Sequence, residues 1–162
     1  MNYHNITVDD MLNGDGLRTV LWVSGCDHHC RNCQNPQTWP VESGIPFDEK
    51  AKAELFEAIG RDYMNGVTFS GGDPLHCANR ETVGQLIQEI RETMPEKTIW
   101  LYTGSLFEEI RHLPFIPMID VIVDGPYIEA LRDVQLHWKG SSNQRVINVK
   151  KTLEQGRVIL WA

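Results

Sequence analysis

The chain has 162 residues, of which 41% are hydrophobic and 23% are charged, proportions that are ordinary for a globular protein of one domain. Its formal net charge of -7 argues against non-specific nucleic-acid binding, which needs clustered positive charge, and its apolar runs are too short to cross a bilayer. Residues Met1 to Asn5 show no basic region followed by an apolar stretch, so we expect a cytoplasmic protein with one domain spanning 1–162.

Short apolar runs rich in β-branched and aromatic residues alternate with segments whose apolar residues recur at helical spacing. In chain order we predict a strand over 19–24, a helix over 48–61, a strand over 67–70, a helix over 79–94, a strand over 98–102, a helix over 105–112, a strand over 121–123, a shorter strand candidate over 145–148 and a last strand over 157–161. Asp48 is the expected N-cap of the first helix, and Ser105 with Glu108 forms the expected capping box of the third.

This alternation predicts βαβ units and an α/β fold with a mainly parallel sheet. A closed eight-stranded barrel typically needs about 250 residues, so either a partial, open barrel or a doubly wound sheet is expected. In both architectures the functional site lies in loops at the C-terminal ends of the parallel strands. The cysteine and glycine motifs of this chain directly follow predicted strands, which is where such a site is expected.

Three of the four cysteines lie close together, directly after the first predicted strand. Cys26, Cys30 and Cys33 form a C-x3-C-x2-C pattern, and their thiolates are soft ligands that suit iron–sulfur clusters, zinc or Cu(I). An ordinary four-iron cluster has four cysteine ligands, so three close ligands leave one iron open to a small chelating molecule.

A closed zinc site is the alternative interpretation of this loop, with His28, His29 or Cys77 as the fourth ligand. Zinc sites usually take their ligands as two spaced pairs, and the second pair is missing here. Cys77 as a fourth ligand of an iron–sulfur cluster is a further alternative. A lone cysteine is more often a small buried hydrophobe, and we expect that role for Cys77.

The cysteine pattern resembles the cluster motif of the radical S-adenosylmethionine superfamily, and Gly71-Gly72-Asp73-Pro74 after the second predicted strand resembles its glycine-rich motif. Within this superfamily the chain resembles the activating proteins of anaerobic ribonucleotide reductases. The resemblance runs nearly end to end and includes the segments 13–18, 24–26, 71–76, 102–104, 123–125 and 138–144. The last of these segments, together with the short length, indicates this subfamily.

The resemblance implies an open (βα) barrel of the radical S-adenosylmethionine type, with a 4Fe-4S cluster on Cys26, Cys30 and Cys33 and S-adenosylmethionine on the open iron. One electron from the reduced cluster splits this cofactor into methionine and a 5′-deoxyadenosyl radical. In this family the radical takes a hydrogen atom from one glycine of the reductase, which becomes active. The implied partners are the anaerobic ribonucleotide reductase and an electron donor such as reduced flavodoxin.

The same resemblance implies contacts on the adenine side of the cofactor. Asn32, Cys33 and Gln34 are expected there. Many members of the superfamily carry an aromatic residue just before the third cysteine, where this chain has Asn32. The adenine is then expected to contact backbone or another side chain, for which Trp39 is a candidate.

The glycine-rich motif is expected to bind the methionyl end of the cofactor. Gly71 and Gly72 have no side chain, so a ligand can approach their backbone closely and bond its amino group to their carbonyls. Pro74 fixes the turn. Asp73 is included among the cofactor-binding residues, although the family usually has Glu there, and the shorter side chain leaves its own role open.

For three further features the sequence allows two interpretations each. Arg18 either faces the cofactor or caps the first strand, and Asp124 either contacts the cofactor ribose or shapes the turn that it begins. The segment 138–144 either binds the partner protein or is a structural loop. The alternative functions are another small radical enzyme, such as the activase of a different glycyl-radical enzyme or a deazaguanine synthase, and a non-catalytic zinc-binding interaction module.

Overall fold

The computed structural model describes residues 1–162 as seven strands and four α-helices. The strands are β1 (Asn2–Asp10), β2 (Arg18–Val23), β3 (Ile45–Pro46), β4 (Gly66–Gly71), β5 (Thr98–Tyr102), β6 (Val121–Asp124) and β7 (Arg145–Asn148). The helices are α1 (Glu49–Ile59), α2 (Arg80–Thr93), α3 (Phe107–Ile110) and α4 (Val149–Gln155). No helix combines the length and the apolar character that a membrane crossing requires.

All strands belong to one open sheet with the order β3-β1-β2-β4-β5-β6-β7. The four central strands, β2, β4, β5 and β6, are parallel and follow one another in chain order. The outer strands β1, β3 and β7 pair antiparallel. The predicted α/β fold with an open sheet is therefore confirmed, while the parallel arrangement is limited to the four central strands.

The four helices pack on one face of this sheet. Side chains alternate in direction along a strand, and Leu21, Phe69, Leu101 and Ile122 project from the parallel strands into one buried cluster with residues of every helix. The opposite face carries a smaller cluster around Trp100, to which no α-helix contributes. A doubly wound sheet has helices on both faces, so the structure excludes that alternative.

Helices α1 and α2 lie where the sequence predicts them, and α1 begins at the predicted cap. The Asp48 carboxylate accepts a hydrogen bond from Ala51 N at 2.8 Å, which satisfies one of the unpaired N–H groups of the first turn. The apolar positions Ala51, Leu55, Ala58 and Ile59 are all buried. Local sequence and tertiary packing therefore agree over this helix.

Helix α3 begins later than predicted, at Phe107, and the expected capping box is wrong. The carboxylate of Glu109, rather than that of Glu108, accepts a hydrogen bond from Leu106 N at 2.8 Å. Glu108 instead forms an ion pair with Arg145 of β7. The later start places Glu109 at the third helical position, from which a side chain can reach back to the cap.

The sequence does not predict β1, β3 or α4. β1 is mostly exposed or half-buried and is held by its pairing with β2, a tertiary interaction that local pattern does not reveal. The predicted last strand over 157–161 is wrong, because this segment forms only an isolated bridge between Leu160 and Ile147. α4 is a short helix capped by Asn148 and ended by Gly156, whose φ is +69°.

Arg18 is fully buried where β2 begins, and its burial lowers the pKa of the guanidinium to about 10. Its N–H groups donate to the carbonyls of Asp15, Val67 and Thr98 and to the hydroxyls of Thr68 and Thr98, all at 2.8 to 2.9 Å. These five bonds use every donor of the guanidinium. They join the N-terminal ends of β2, β4 and β5, so Arg18 is a structural residue at that end of the sheet.

We expect Arg18→Lys to lower the free energy of unfolding by about 2–4 kcal/mol, because an ammonium has fewer donors and leaves buried acceptors without partners. Urea unfolding followed by tryptophan fluorescence measures the difference. Arg61→Lys is the matched control, since this guanidinium pairs with Glu57 at the surface and its loss should leave the midpoint unchanged. Equal shifts for the two variants would contradict the structural role of Arg18.

Candidate active site

A cleft of about 560 Å³ lies at the C-terminal ends of the parallel strands, on the helix-free face of the sheet. Trp22, Ser70 and Tyr102 line it from β2, β4 and β5, and the loops after these strands form its walls. Its volume is within the range of natural ligand sites. The predicted site residues that line it are Cys26, Cys30, Cys33, Gln34, Gly71, Gly72 and Asp73.

Backbone hydrogen bonds anchor the cysteine loop at both of its ends. Gly25 N donates to Thr38 O at 2.6 Å, and Cys26 N donates to Trp39 O at 3.1 Å. A short 3₁₀ turn over Pro36–Thr38 directs the chain back toward its start. The first cysteine and the residues after the third are therefore held side by side, and the loop between them closes over the end of β2.

Two left-handed residues shape the loop between these anchors. His29 has a φ of 48° and Asn32 a φ of 57°, a region that Asn and His enter more readily than most residues. Cys33 N donates to Cys30 O at 3.1 Å, which closes a tight turn between the second and third cysteines. This path brings all three cysteines of the motif to one cleft.

The three cleft thiols are free and half-buried. Burial raises the pKa of the Cys26 thiol to about 11, and Asp73, Cys30 and Cys33 act in the same direction. A thiolate here is therefore unfavourable without a positively charged partner, which a metal centre supplies when it displaces the protons. Three soft sulfur donors in one cleft fit an iron–sulfur cluster.

His28 has another partner, and His29 and Cys77 lie outside the cleft lining, so none of the three is placed as a fourth ligand beside the three thiols. His28 Nε2 is bonded to Asp73, and His29 stacks on Trp39 with ring centroids 4.6 Å apart. Cys77 is exposed and lies outside the cleft, so the expectation that it is buried is wrong. No three His, Cys, Asp or Glu side chains of the chain converge as ligands of a single metal ion.

The two glycines of the glycine-rich motif are required by the close approach of the backbone at the end of β2 and at the start of the cysteine loop. A Cβ on Gly71, whose φ is +109°, would lie 2.5 Å from Val23 N, and one on Gly72 would lie 2.6 Å from Gly25 O. Gly72 N donates to Val23 O at 2.8 Å, which continues the β2–β4 pairing beyond the strands. The motif is therefore a packing contact between two loops as well as part of the cleft wall.

Asp73 is buried and joins the three cleft loops that follow β2, β4 and β5. Its Oδ2 accepts hydrogen bonds from His28 Nε2 at 2.6 Å, Thr103 Oγ1 at 3.0 Å and Gly104 N at 3.1 Å. Its Oδ1 accepts one from Leu75 N at 2.9 Å. The hydrogen bond to Asp73 is the main cause that raises the pKa of His28, so the pair is charge-assisted.

The residues expected on the adenine side occupy different positions. Gln34 lines the cleft, and so does Trp39, whose ring is available as an apolar wall. Asn32 lies outside the cleft lining and is exposed, so its contact with a cofactor stays a prediction. Trp39 Nε1 is buried without a hydrogen-bond partner in the protein.

Asp124 is fully buried outside the cleft lining. Its carboxylate accepts a hydrogen bond from Phe107 N at 2.8 Å and forms an ion pair with Arg145. It therefore ties the start of α3 to β6 and β7. The role of Asp124 in these contacts is structural, but its partners Phe107 and Arg145 lie outside the turn 124–126 that the sequence suggested it would shape.

The segment 138–144 forms one wall of the cleft through Trp138, Lys139, Gly140 and Gln144. Trp138 has a φ of 64°, and its carbonyl accepts a hydrogen bond from Tyr102 at 2.6 Å. Sequence reasoning missed Tyr102 as a site residue, although a tyrosine at the C-terminal end of a predicted parallel strand is a usable signal. Nothing in the local pattern marked Tyr127, which also lines the cleft.

We expect Asp73→Ala to lower the free energy of unfolding of the metal-free chain by about 2–4 kcal/mol, because it leaves buried donors of three loops without an acceptor. Anaerobic urea unfolding under reducing conditions measures the loss. Thr103→Val is the matched control, since it removes one of these donors together with the acceptor of the Ser105 N–H group and should cost about 1–2 kcal/mol. A loss for Asp73→Ala no larger than that of the control would refute the role of Asp73 as the link between the loops.

Comparison with protein-family models gives a match to the 4Fe-4S single cluster domain over residues 12–147. This range includes the three cleft cysteines, the glycine-rich motif and the segment 138–144. The match therefore spans the whole cleft and most of the sheet.

Curated proteins of similar sequence are named anaerobic ribonucleoside-triphosphate reductase-activating protein. The protein of Enterobacteria phage T4 is 42% identical over 146 residues, which cover 90% of this chain and 93% of the phage protein. The protein of Escherichia coli K12 is 40% identical over 154 residues, covering 93% of this chain and all of the relative. The protein of Haemophilus influenzae is 37% identical over 154 residues, covering 93% and 99%.

Proposed function

The chain belongs to the family of anaerobic ribonucleoside-triphosphate reductase-activating proteins, and we propose that it generates the glycyl radical of such a reductase by reductive cleavage of S-adenosylmethionine. The observation that carries this proposal is that the thiols of Cys26, Cys30 and Cys33 line one cleft together with Gly71 and Gly72. The cleft thus offers three soft ligands for iron beside backbone that a small molecule can approach.

The three cysteines would hold a 4Fe-4S cluster and, through it, are the catalytic residues. When bound, the cluster supplies one electron to S-adenosylmethionine, which yields methionine and the 5′-deoxyadenosyl radical that takes a hydrogen atom from a glycine of the reductase. The protein contributes binding, orientation and electrostatics. Only three thiols line the cleft, which leaves one corner of such a cluster for the cofactor.

The glycine-rich motif would bind the methionyl end of S-adenosylmethionine. The carbonyls of Gly71 and Gly72 are the expected acceptors for its amino group. The Asp73 carboxylate already accepts four hydrogen bonds from the protein, so its contribution would be to fix the two glycines relative to the cysteines. A fixed relation between the two loops would set the distance between the cluster and the cofactor.

The adenine would lie on the other side of the cysteine loop, against Cys33 and Gln34. Trp39 offers an aromatic surface in the cleft wall, and its stacking on His29 holds the ring in place. Asn32, the residue before the third cysteine, is expected to contact the adenine through its backbone. This arrangement would replace the aromatic residue that is frequent at the position of Asn32.

The sheet would act as a partial, open barrel of the radical S-adenosylmethionine type within one domain spanning 1–162. The cleft is open, and a primary-carbon radical must be kept from water. We therefore expect the reductase to cover the cleft when it binds. A donor such as reduced flavodoxin would supply the electron.

Anaerobic reconstitution with iron and sulfide tests this function. We expect about four irons per chain and a reduced cluster whose electron paramagnetic resonance changes when S-adenosylmethionine is added. Ala in place of Cys26, Cys30 or Cys33 should each abolish cofactor cleavage, because each removes one ligand. Cys77→Ala is the matched control and should cleave normally, since Cys77 lies outside the cleft. Stoichiometric zinc in place of iron, or a cluster indifferent to S-adenosylmethionine, would overturn the proposal.

A further inference from the structure

Two loops with exposed apolar side chains border the cleft. Leu12 and Val134 are 82% and 81% exposed, the highest values among the large hydrophobic side chains of the chain, and both line the cleft. Met11, beside Leu12, is 68% exposed, and Leu136, near Val134, also lines the cleft. We call these four residues the apolar rim.

Local hydrogen bonds hold the first loop in its exposed conformation. The Asp10 carboxylate accepts bonds from Leu12 N at 2.9 Å and Asn13 N at 2.8 Å. Asn13 O in turn accepts a bond from the hydroxyl of Thr68 in β4 at 2.7 Å. The turn that carries Leu12 is thus fixed to the sheet, and the exposure of this side chain follows from ordered structure.

The second loop is a hairpin-like segment over 131–142. Ser142 N donates to Leu131 O at 2.9 Å, and Asp133 N donates to Gly140 O at 3.3 Å. Leu136 N donates to Asp133 O at 3.2 Å, which closes the tip. The tip holds Val134 out of the protein while its base continues into the cleft wall at 138–144.

We propose that the apolar rim binds the polypeptide segment of the reductase that carries the reactive glycine, an inference that rests on the proposed function. The substrate is then a protein, and its glycine must come close to the thiols at the centre of the cleft. The segment that delivers it has to pass the border of the same cleft, where the two most exposed apolar side chains lie. Concentrated exposed apolar surface of this kind marks an interaction site.

The surrounding charges favour a polypeptide over a lipid surface. The chain has a formal net charge of -7, and the two rim loops carry four carboxylates, those of Asp9, Asp10, Asp15 and Asp133, against the basic Arg132 and Lys139, which line the cleft. This acidic balance disfavours an anionic lipid surface. A peptide can place apolar side chains against Leu12 and Val134 while its backbone follows the polar cleft wall.

The test compares the affinity of rim variants for the purified reductase of the same organism, using the reconstituted activating protein under anaerobic conditions. Leu12→Ser and Val134→Ser should each raise the dissociation constant about tenfold, and the double variant about a hundredfold, since each removes one apolar contact and the two lie on separate loops. Iron content and circular dichroism should match the unaltered protein, which verifies folding.

Tyr63→Ser is the matched control. Tyr63 is 54% exposed but lies just before β4, at the end of the sheet away from the cleft, so its variant should bind the reductase normally. Equal affinity of the double rim variant and the unaltered protein would overturn the inference. The inference would also be overturned if the rim variants bound the reductase normally but lost self-association. The rim would then contact a second copy of the chain.

These outcomes are separate from those that decide the proposed function. An unaltered protein that cannot cleave S-adenosylmethionine refutes the function whatever the rim binds. If the unaltered protein activates the reductase and the rim variants bind it with full affinity, only the proposed role of the rim is refuted. A photo-crosslinking amino acid at position 134 gives a direct check, because the captured peptide should contain the reactive glycine, and capture elsewhere on the reductase would contradict the inference.

Discussion

The Asp73 carboxylate is the contact on which the geometry of the cleft depends. It accepts hydrogen bonds from the loops that follow β2 and β5 while it is itself part of the loop that follows β4. Backbone bonds from Gly72 N to Val23 O and from Asp73 N to Gly25 O, both 2.8 Å long, join the loop after β4 to the end of β2 and the loop that follows it. The buried carboxylate with its four donors reinforces this pairing and adds the loop after β5 to it. The cysteines and the glycine-rich motif are therefore held in one arrangement before any ligand binds.

The helix-free face of the sheet is filled at one end of the parallel strands and open at the other. At the N-terminal end of the parallel strands, all five N–H donors of the Arg18 guanidinium are bonded to protein acceptors, and this buried side chain fills the helix-free face. At the C-terminal end the same face carries Trp22, Ser70 and Tyr102 and stays open as the cleft. Because all four helices pack on the other face, no helix covers this end, and only loops border the cleft. The one-sided arrangement would thus give the proposed cofactor room and the proposed protein substrate access at the same end of the sheet.

The parts of the fold that were predictable are those set by local pattern. α1 has a cap and a regular apolar stripe, and the central strands are short apolar runs that end in glycine motifs. The strand β1 was not predictable because its order comes from pairing with β2 and its own residues are largely polar or half-buried. The segment 157–161 has strand-like residues, yet the chain offers it only one bridge to β7.

The candidate site shows the same division. The cysteine spacing revealed the three thiols directly, whereas the bond from His28 to Asp73 joins residues 45 positions apart and required the structure. The sequence revealed only part of the reason why positions 71 and 72 are glycines. Their lack of a side chain suggested an approaching ligand, and the structure adds the backbone of Val23 and Gly25 at distances that leave no room for a Cβ.

Burial of the exposed rim by a partner would contribute to the free energy of binding at the cleft. Burying a leucine or valine side chain contributes about 1.5–3 kcal/mol, which corresponds to one to two decades of affinity for each of Leu12 and Val134. Such a contribution offsets part of the cost of association and of ordering a peptide at the cleft. An activating protein also has to release its product, so contacts of this moderate size suit it better than a large permanent interface. Under the proposed function, the reductase would both exclude water from the cleft and bury the rim, and these two effects would be achieved in a single binding step.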